Sequence, residues 1–224
     1  MSNSNSDIPK PSEMDKSNDN LLEEATSIPQ NSEKPTGTLK QKPFQYYFTT
    51  RDLLIGAIMG VMGGFISGLI PFSLLVKTWY PFVGGTQLVS GHYLLWMVIS
   101  YGLTHKRANI FFTALIQGTL NFLFGSSWGP LEIAITLYEG FFLWLGFLIM
   151  EAVGEKTTRL GWGLAGGIGN FFQVPLFWII TGKIVLFHWS LFVMACMFAF
   201  LSGMFIAGLL GRAIVVGIQR AGIY

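Results

Sequence analysis

A chain of 224 residues that is 51% hydrophobic and only 12% charged cannot build the surface of a water-soluble domain, which usually carries about twice that charged fraction. The formal net charge is +2, with no dense Lys/Arg patch, which argues against nucleic acid as a partner. One cysteine, Cys196, excludes an internal disulfide and a cysteine-based zinc site.

Residues 1–44 differ from the rest. Ser, Asn, Asp, Glu, Lys and Pro dominate, and large apolar residues are sparse. Such a segment buries too little surface to offset its ordering entropy, so it reads as a disordered tail. It has no apolar run behind a basic start, so no cleavable signal peptide is expected.

From residue 51 the composition turns apolar. Between Leu53 and Ile149 the only acids are Glu132 and Glu139. A membrane span needs about 20 mostly apolar residues. Spans are predicted at 51–76, 86–104, 108–125, 130–151, 160–182 and 188–211, the third being short. The fold class is therefore an all-α integral membrane protein with six transmembrane helices. Its domains are a tail at 1–44, a six-helix membrane domain at 45–215 and a C-terminal tail at 216–224.

The flanking charges orient these spans. With six crossings, Lys40, Lys42, Arg51, Lys106, Arg107, Lys156, Arg159, Arg212 and Arg220 fall on one side, and Lys77 and Lys183 on the other. The positive-inside rule then places both termini in the cytoplasm of a cell-membrane protein. Trp79, Tyr80, Trp128 and Trp189 fall near the outer interface, where amphipathic rings settle.

The first span, GAIMGVMGGFISG from Gly56, repeats glycine at Gly56, Gly60, Gly64 and Gly68. Four-residue spacing puts these on one helix face, a flat seam that lets a second backbone approach. The seam suits either a neighbouring span or a docking partner.

Ionisable residues inside a membrane are costly, and each is a functional candidate. Glu132 and Glu139 lie two turns apart on the fourth span, Glu132 near the wetted interface and Glu139 deeper. Gln117 and Asn121 share a face of the third span; His92, Trp96 and Ser100 share one on the second; Asn170 and Gln173 lie on the fifth. These polar residues gather toward the end opposite the basic loops, leaving the other half comparatively dry. Trp96, Trp128, Tyr138 and Trp144 are near them in sequence. Each amide alone can be a helix-to-helix hydrogen bond, and His92 can be interfacial. Together, a few polar groups among aromatic walls describe a small-molecule site, and a carboxylate beside π faces favours a flat cation.

No phosphate loop of the G-x-x-x-x-G-K-[ST] type and no H-E-x-x-H cluster occurs, so neither nucleotide hydrolysis by that route nor a zinc site is expected. The sequence Gly125-Ser126-Ser127-Trp128 loosely mimics a nucleophile turn, with His188 as base, but both fall at the outward interface, away from the water-restricted setting an intramembrane protease needs. The chain is not expected to be an enzyme.

Ser90-Gly91-His92 through Trp96, the His105-Lys106-Arg107-Ala108 run, Leu123-Phe124-Gly125-Ser126-Ser127-Trp128-Gly129 and Tyr138-Glu139-Gly140 together resemble the substrate-binding (S) components of energy-coupling-factor (ECF) transporters. They are most similar to the YkoE-type branch associated with thiamine or its hydroxymethylpyrimidine precursor, over about residues 45–215. Four residues depart from that branch: Ser90 stands for Asn, Gln117 and Asn121 occupy a stretch that usually carries Glu, and Glu139 stands for Gln. Either the carboxylate has changed helix, which keeps a cation site, or the ligand differs. The resemblance implies a vitamin site near the extracellular side, with Glu139, Gln117, Asn121, Asn170 and His92 as polar contacts and Trp96, Trp128 and Trp144 as stacking partners. It implies docking of Gly56, Gly60, Gly64 and Gly68 to a transmembrane T component. Two ABC ATPases on other chains would use ATP; the chain itself needs no cofactor. A membrane assembly protein without transport remains the alternative from another class.

Overall fold

The computed structural model describes residues 48–69, 85–181 and 189–222. Among them every regular element is helical. Helix α1 spans Thr50–Leu69; a 3-10 turn at Gly85–Leu88 precedes α2, Gly91–Thr104; then come α3, Ala108–Leu123, and α4, Leu131–Ala152. Next are α5, Arg159–Phe171, α6, Gln173–Ile180, and α7, Trp189–Ser202. A π-helical stretch, Gly203–Leu210, joins α7 to α8, Gly211–Arg220. The tail expected at 1–44 and the segments 70–84 and 182–188 fall outside the described residues. Four helices have the length and apolar composition to cross a membrane: Thr50–Gly68, Leu131–Ala152, Arg159–Ile180 and Trp189–Arg220. The helix Ala108–Leu123 is apolar but shorter, as the sequence suggested.

Three boundaries differ from expectation, each for a local reason. The second span starts at Gly91 rather than 86, because Gly85–Leu88 winds as a 3-10 turn. The fifth is hitched at Phe172, between α5 and α6. Pro175 has no N–H for the Phe171 carbonyl one turn back, and its ring crowds that carbonyl. The last helical rod continues through Arg220, so residues 216–220, expected as tail, are helical.

Helix α2 is the axle of the bundle. Leu94, Met97 and Val98 have no exposure, and Ile99 to Thr104 are all buried. A largely apolar helix can face lipid or protein, and this one faces protein along most of its length. Here α1 and α3 pack on one flank and α5, the π stretch and α8 on another, while α4 fills the gap between α3 and α5. Tyr101, Phe147 and Trp162 knit α2, α4 and α5 together, with ring centroids 4.3 to 6.0 Å apart.

Two glycine seams set the closest approaches. Along α1, a Cβ at Gly60 would meet Ile116 Cβ at 2.8 Å, one at Gly64 would meet Leu120 Cβ at 2.6 Å, and one at Gly68 would meet Phe124 at 2.7 Å. The seam is thus filled by α3 of the same chain. This corrects the docking role expected for Gly56, Gly60, Gly64 and Gly68: a partner would have to displace α3 to reach them. The second seam was not noticed in the sequence. Gly163, Gly166 and Gly167 of α5 abut the α7–π rod, and Gly166 lies against the backbone of Gly203 and Gly208. The widened π turn lets this rod pass α5 at backbone contact.

The basic residues of several connections meet at one end. Lys106 Nζ lies 2.5 Å from Asp52 Oδ2. Arg107 and Lys156 both pair with Glu151, the latter at 3.1 Å. Trp162 Nε1 donates to Lys156 O at 2.8 Å, and Arg212 donates to Thr157 O at 3.1 Å.

Gly166→Val is expected to force α5 off the π stretch and destabilise the fold by about 1–3 kcal/mol, the usual cost of overpacking. Gly217→Ala, where an added Cβ meets nothing within 4 Å, should instead be neutral or slightly stabilising. Thermal unfolding of the two purified variants separates these outcomes, and equal midpoints would contradict the seam.

Candidate functional site

Helix α3 carries a buried polar stripe at four-residue spacing: Asn109, Thr113, Gln117 and Asn121. Sequence reading found only the last two. Toward the basic end the stripe is tied to α2: Asn109 Nδ2 and Thr113 Oγ1 each donate to Ser100 Oγ at 2.8 Å, and Thr104 Oγ1 donates to Ser100 O at 2.8 Å. That half is therefore not dry, contrary to expectation. The two halves differ in how the polar groups are used.

In the other half the stripe meets the carboxylate of Glu132. Asn121 Nδ2 donates to Glu132 Oε1 at 3.2 Å, and Ser126 Oγ donates to Glu132 Oε2 at 2.8 Å. Gln117 Nε2 donates to the Tyr93 carbonyl at 3.1 Å. Glu139 is 4% exposed. No hydrogen bond to its carboxylate is seen among the described residues. An isolated buried carboxylate is unfavourable, so Glu139 either holds a proton or awaits a cationic or donor group. Thr136, between the two acids on α4, lies against Gly118 of α3.

Trp96 joins this group through Gly63. A Cβ at Gly63 would lie 2.6 Å from Gln117 Oε1 and 2.9 Å from Trp96 Cδ1. His92 lies at its edge, with its Nδ1 2.7 Å from Val89 O and its ring 4.0 Å from that of Tyr93. The structure brings Gln117 and Trp96 together at Gly63 and Asn121 together with Glu132, with Glu139 two turns further along the helix that carries Glu132. It adds Tyr93, Ser126, Glu132 and Gly63, which were not assigned to the site beforehand. Glu132 was visible as a charge; Tyr93 contributes a main-chain carbonyl, which no side-chain pattern reveals.

Three expected members lie elsewhere. Asn170 Nδ2 donates to Ser90 Oγ and to Ala199 O, both at 2.7 Å, so both amide protons are committed to the crossing of α5 with α7 and the start of α2. Trp128 packs on Phe177 of α6 at 5.3 Å. Trp144 groups with Phe111 and the exposed Phe141. At roughly 100° per residue it points about 140° away from Glu139. A separate open groove of about 440 Å³, between Phe171 and the Phe192, Cys196, Met197 and Phe200 side chains of α7, is lined by apolar residues. It has no group to orient a polar ligand.

Among the described residues no cluster of three His, Cys, Asp or Glu side chains is placed to hold a metal ion. The fold and the cluster define a polytopic membrane protein with buried polar groups of the kind transport proteins use. A family model described as ABC-type cobalt transport system, permease component, matches residues 51–172, and the chain belongs to that family. The family is one of transport-system components rather than enzymes. A solved structure, described as the crystal structure of an S-component of an ECF transporter, has the same fold. It superposes with a TM-score of 0.69 at 17% identity, covering 79% of this chain and 88% of that one. None of the curated proteins matches significantly.

Asn170→Leu should lower stability by about 1–3 kcal/mol, because the Ala199 carbonyl would lose its buried donor. Chemical denaturation of the purified variant checks this, and wild-type stability would show that the crossing does not need the amide.

Proposed function

We propose that the chain is the substrate-binding S component of an ECF-type importer and takes up thiamine or its hydroxymethylpyrimidine precursor. The reading sets six crossings in the plasma membrane, both termini in the cytoplasm, and the Glu132 end of the bundle outside. A transmembrane T component and two ABC ATPases supply the energy of uptake.

One observation carries the ligand class: Glu139 is 4% exposed with no hydrogen bond to its carboxylate among the described residues, on a helix packed against the one that bears Gln117 and Asn121. A carboxylate kept from water gains most from a ligand that brings a positive charge or an amino group. Gln117, Asn121 and Trp96 then orient the ring. Family membership and the S-component fold support transport. The sequence resemblance supports the vitamin. The family description names cobalt, but Glu132 and Glu139 have no third acid, His or Cys beside them among the described residues, so an organic cation suits the site better than a naked metal ion.

Mass spectrometry of natively purified protein should find a stoichiometric pyrimidine or thiamine. A different vitamin, or cobalt, would redirect the substrate; persistent absence of any small molecule would favour an assembly role. Glu139→Gln should weaken a cationic ligand by about 1–3 kcal/mol. Unchanged affinity in the purified variant removes Glu139 from the site.

A further inference from the structure

The described helices are held by two separate hydrophobic clusters. The larger runs through α2, α3, α4, α5, the π stretch and α8. The smaller consists of Val174, Ala195, Cys196 and Ala199, with Phe171, Trp178 and Phe192 packed on it, and lies almost wholly on α6 and α7. The Trp178 and Phe192 rings join these two helices edge to face at 5.2 Å. Both helices break from the main bundle at one depth. Helix α6 leaves α5 at the Phe172 hitch beside Pro175, and α7 meets the π stretch at Gly203. A Cβ at Gly203 would lie 2.6 Å from Asn170 Cβ, so the two breaks adjoin. Prolines and π turns are where helices bend. Inward of the breaks the rod is fixed: Gly211 lies against Val98, Val215 against Gly102, and Arg212 donates to Thr157 O. Outward of them α7 borders the 440 Å³ groove beside Phe171, which leaves it room to shift without overlapping a close-packed neighbour. The remaining outer contacts are peripheral: Trp128 on Phe177, and α7 beside the 3-10 turn.

We propose that α6 and α7 swing as one unit on twin hinges, the Phe172 hitch and the outer end of the π stretch, and that Asn170 and Ser202 latch them. A unit with two connections to a fixed body moves rigidly only if both connections bend, and here both do so at one level. The Phe172 pivot is pinned to α4, where Tyr138 Oη donates to Phe172 O at 3.4 Å and Phe142 stacks on the Phe172 ring at 4.0 Å. The latch is two buried hydrogen bonds at the same level: Asn170 Nδ2 to Ala199 O at 2.7 Å, and Gly91 N to Ser202 Oγ at 2.9 Å. Such bonds are modest in net strength, so a latch made of two can open. The swing parts Phe177 from Trp128 and α7 from the 3-10 turn, and so opens the Glu132 end of the bundle on that side. In the uptake reading above this is the outward end, where a ligand enters; the swing itself rests on the packing alone.

The test uses the full chain in lipid nanodiscs, with Cys196→Ser and spin labels on pairs of introduced cysteines at exposed positions. Leu123→Cys with Ser190→Cys spans the hinges, Ile179→Cys with Ser190→Cys lies within the moving unit, and Leu123→Cys with Gly217→Cys lies within the fixed bundle. Double electron–electron resonance should show the first distance distribution wider than the other two by at least about 5 Å, roughly one helical turn. Ser202→Ala, which opens half of the latch, should shift the first distribution toward longer distances. Pro175→Ala, which returns an N–H to the Phe171 carbonyl, should narrow it. Neither change should alter the two reference pairs. A first distribution as narrow as the references overturns the proposal, and so does a pair within α6 and α7 that is as broad as the first. Distributions that ignore both Ser202→Ala and Pro175→Ala overturn the assigned latch and hinge. Every distance is read without ligand, so the outcome is independent of whether a vitamin is bound.

Discussion

Helix α3 carries polar side chains through the middle of an apolar bundle, and α1 accommodates them by having almost no side chains on the facing surface. Within lipid, a polar group without a partner or without room is costly. Asn109 lies against Gly56, the main chain at Thr113 against Gly60, Gln117 against Gly63, and Leu120 against Gly64. The glycine seam and the polar stripe are therefore one device. The seam brings α1 close enough to cover the stripe, and the stripe supplies the hydrogen-bonding groups from which a site can be made.

The same stripe plays two parts along its length. At the basic end its members bond to Ser100 and Thr104 of α2 and lock three helices beside the Lys106–Asp52 pair. At the other end, Asn121 braces Glu132, and Gln117 grips a main-chain carbonyl while its oxygen stays unmatched. Structural hydrogen bonds are complete in themselves; a binding site has to leave some capacity open. Thr113 has its hydroxyl engaged, whereas Asn109, Gln117 and Asn121 each keep an amide oxygen open among the described residues.

Much of the helical layout was legible in the sequence, because runs of apolar residues between charged or glycine-rich breaks follow from the length a span requires. The glycine stripe on α1 and the Gln117/Asn121 face were legible for the same reason: spacing fixes which residues share a face. Spacing does not fix which neighbour that face meets: a neighbouring span and a docking partner were both open, and α3 takes the face that the resemblance gave to a partner. Trp144 was near Glu139 in sequence but lies on another side of α4. Asn170 has both donors committed to Ser90 and Ala199, far away along the chain, and only its oxygen is left open. The hitch at Phe172 could have been read from Pro175, and the continuation of the last rod from the regular pattern after Gly211.

The pairing of the α1 seam with α3 can be measured directly by cysteine cross-linking in membranes. With Cys196 replaced by serine, a Gly60→Cys/Ile116→Cys chain should form an intrachain disulfide under mild oxidation: the two β-carbons would lie 2.8 Å apart, so a small outward shift of α1 brings them to the roughly 3.5–4.5 Å a disulfide takes. Failure to cross-link within the chain, together with cross-linking from position 60 to another subunit, would contradict the account, since the seam would then face outward and the polar stripe would need a different cover.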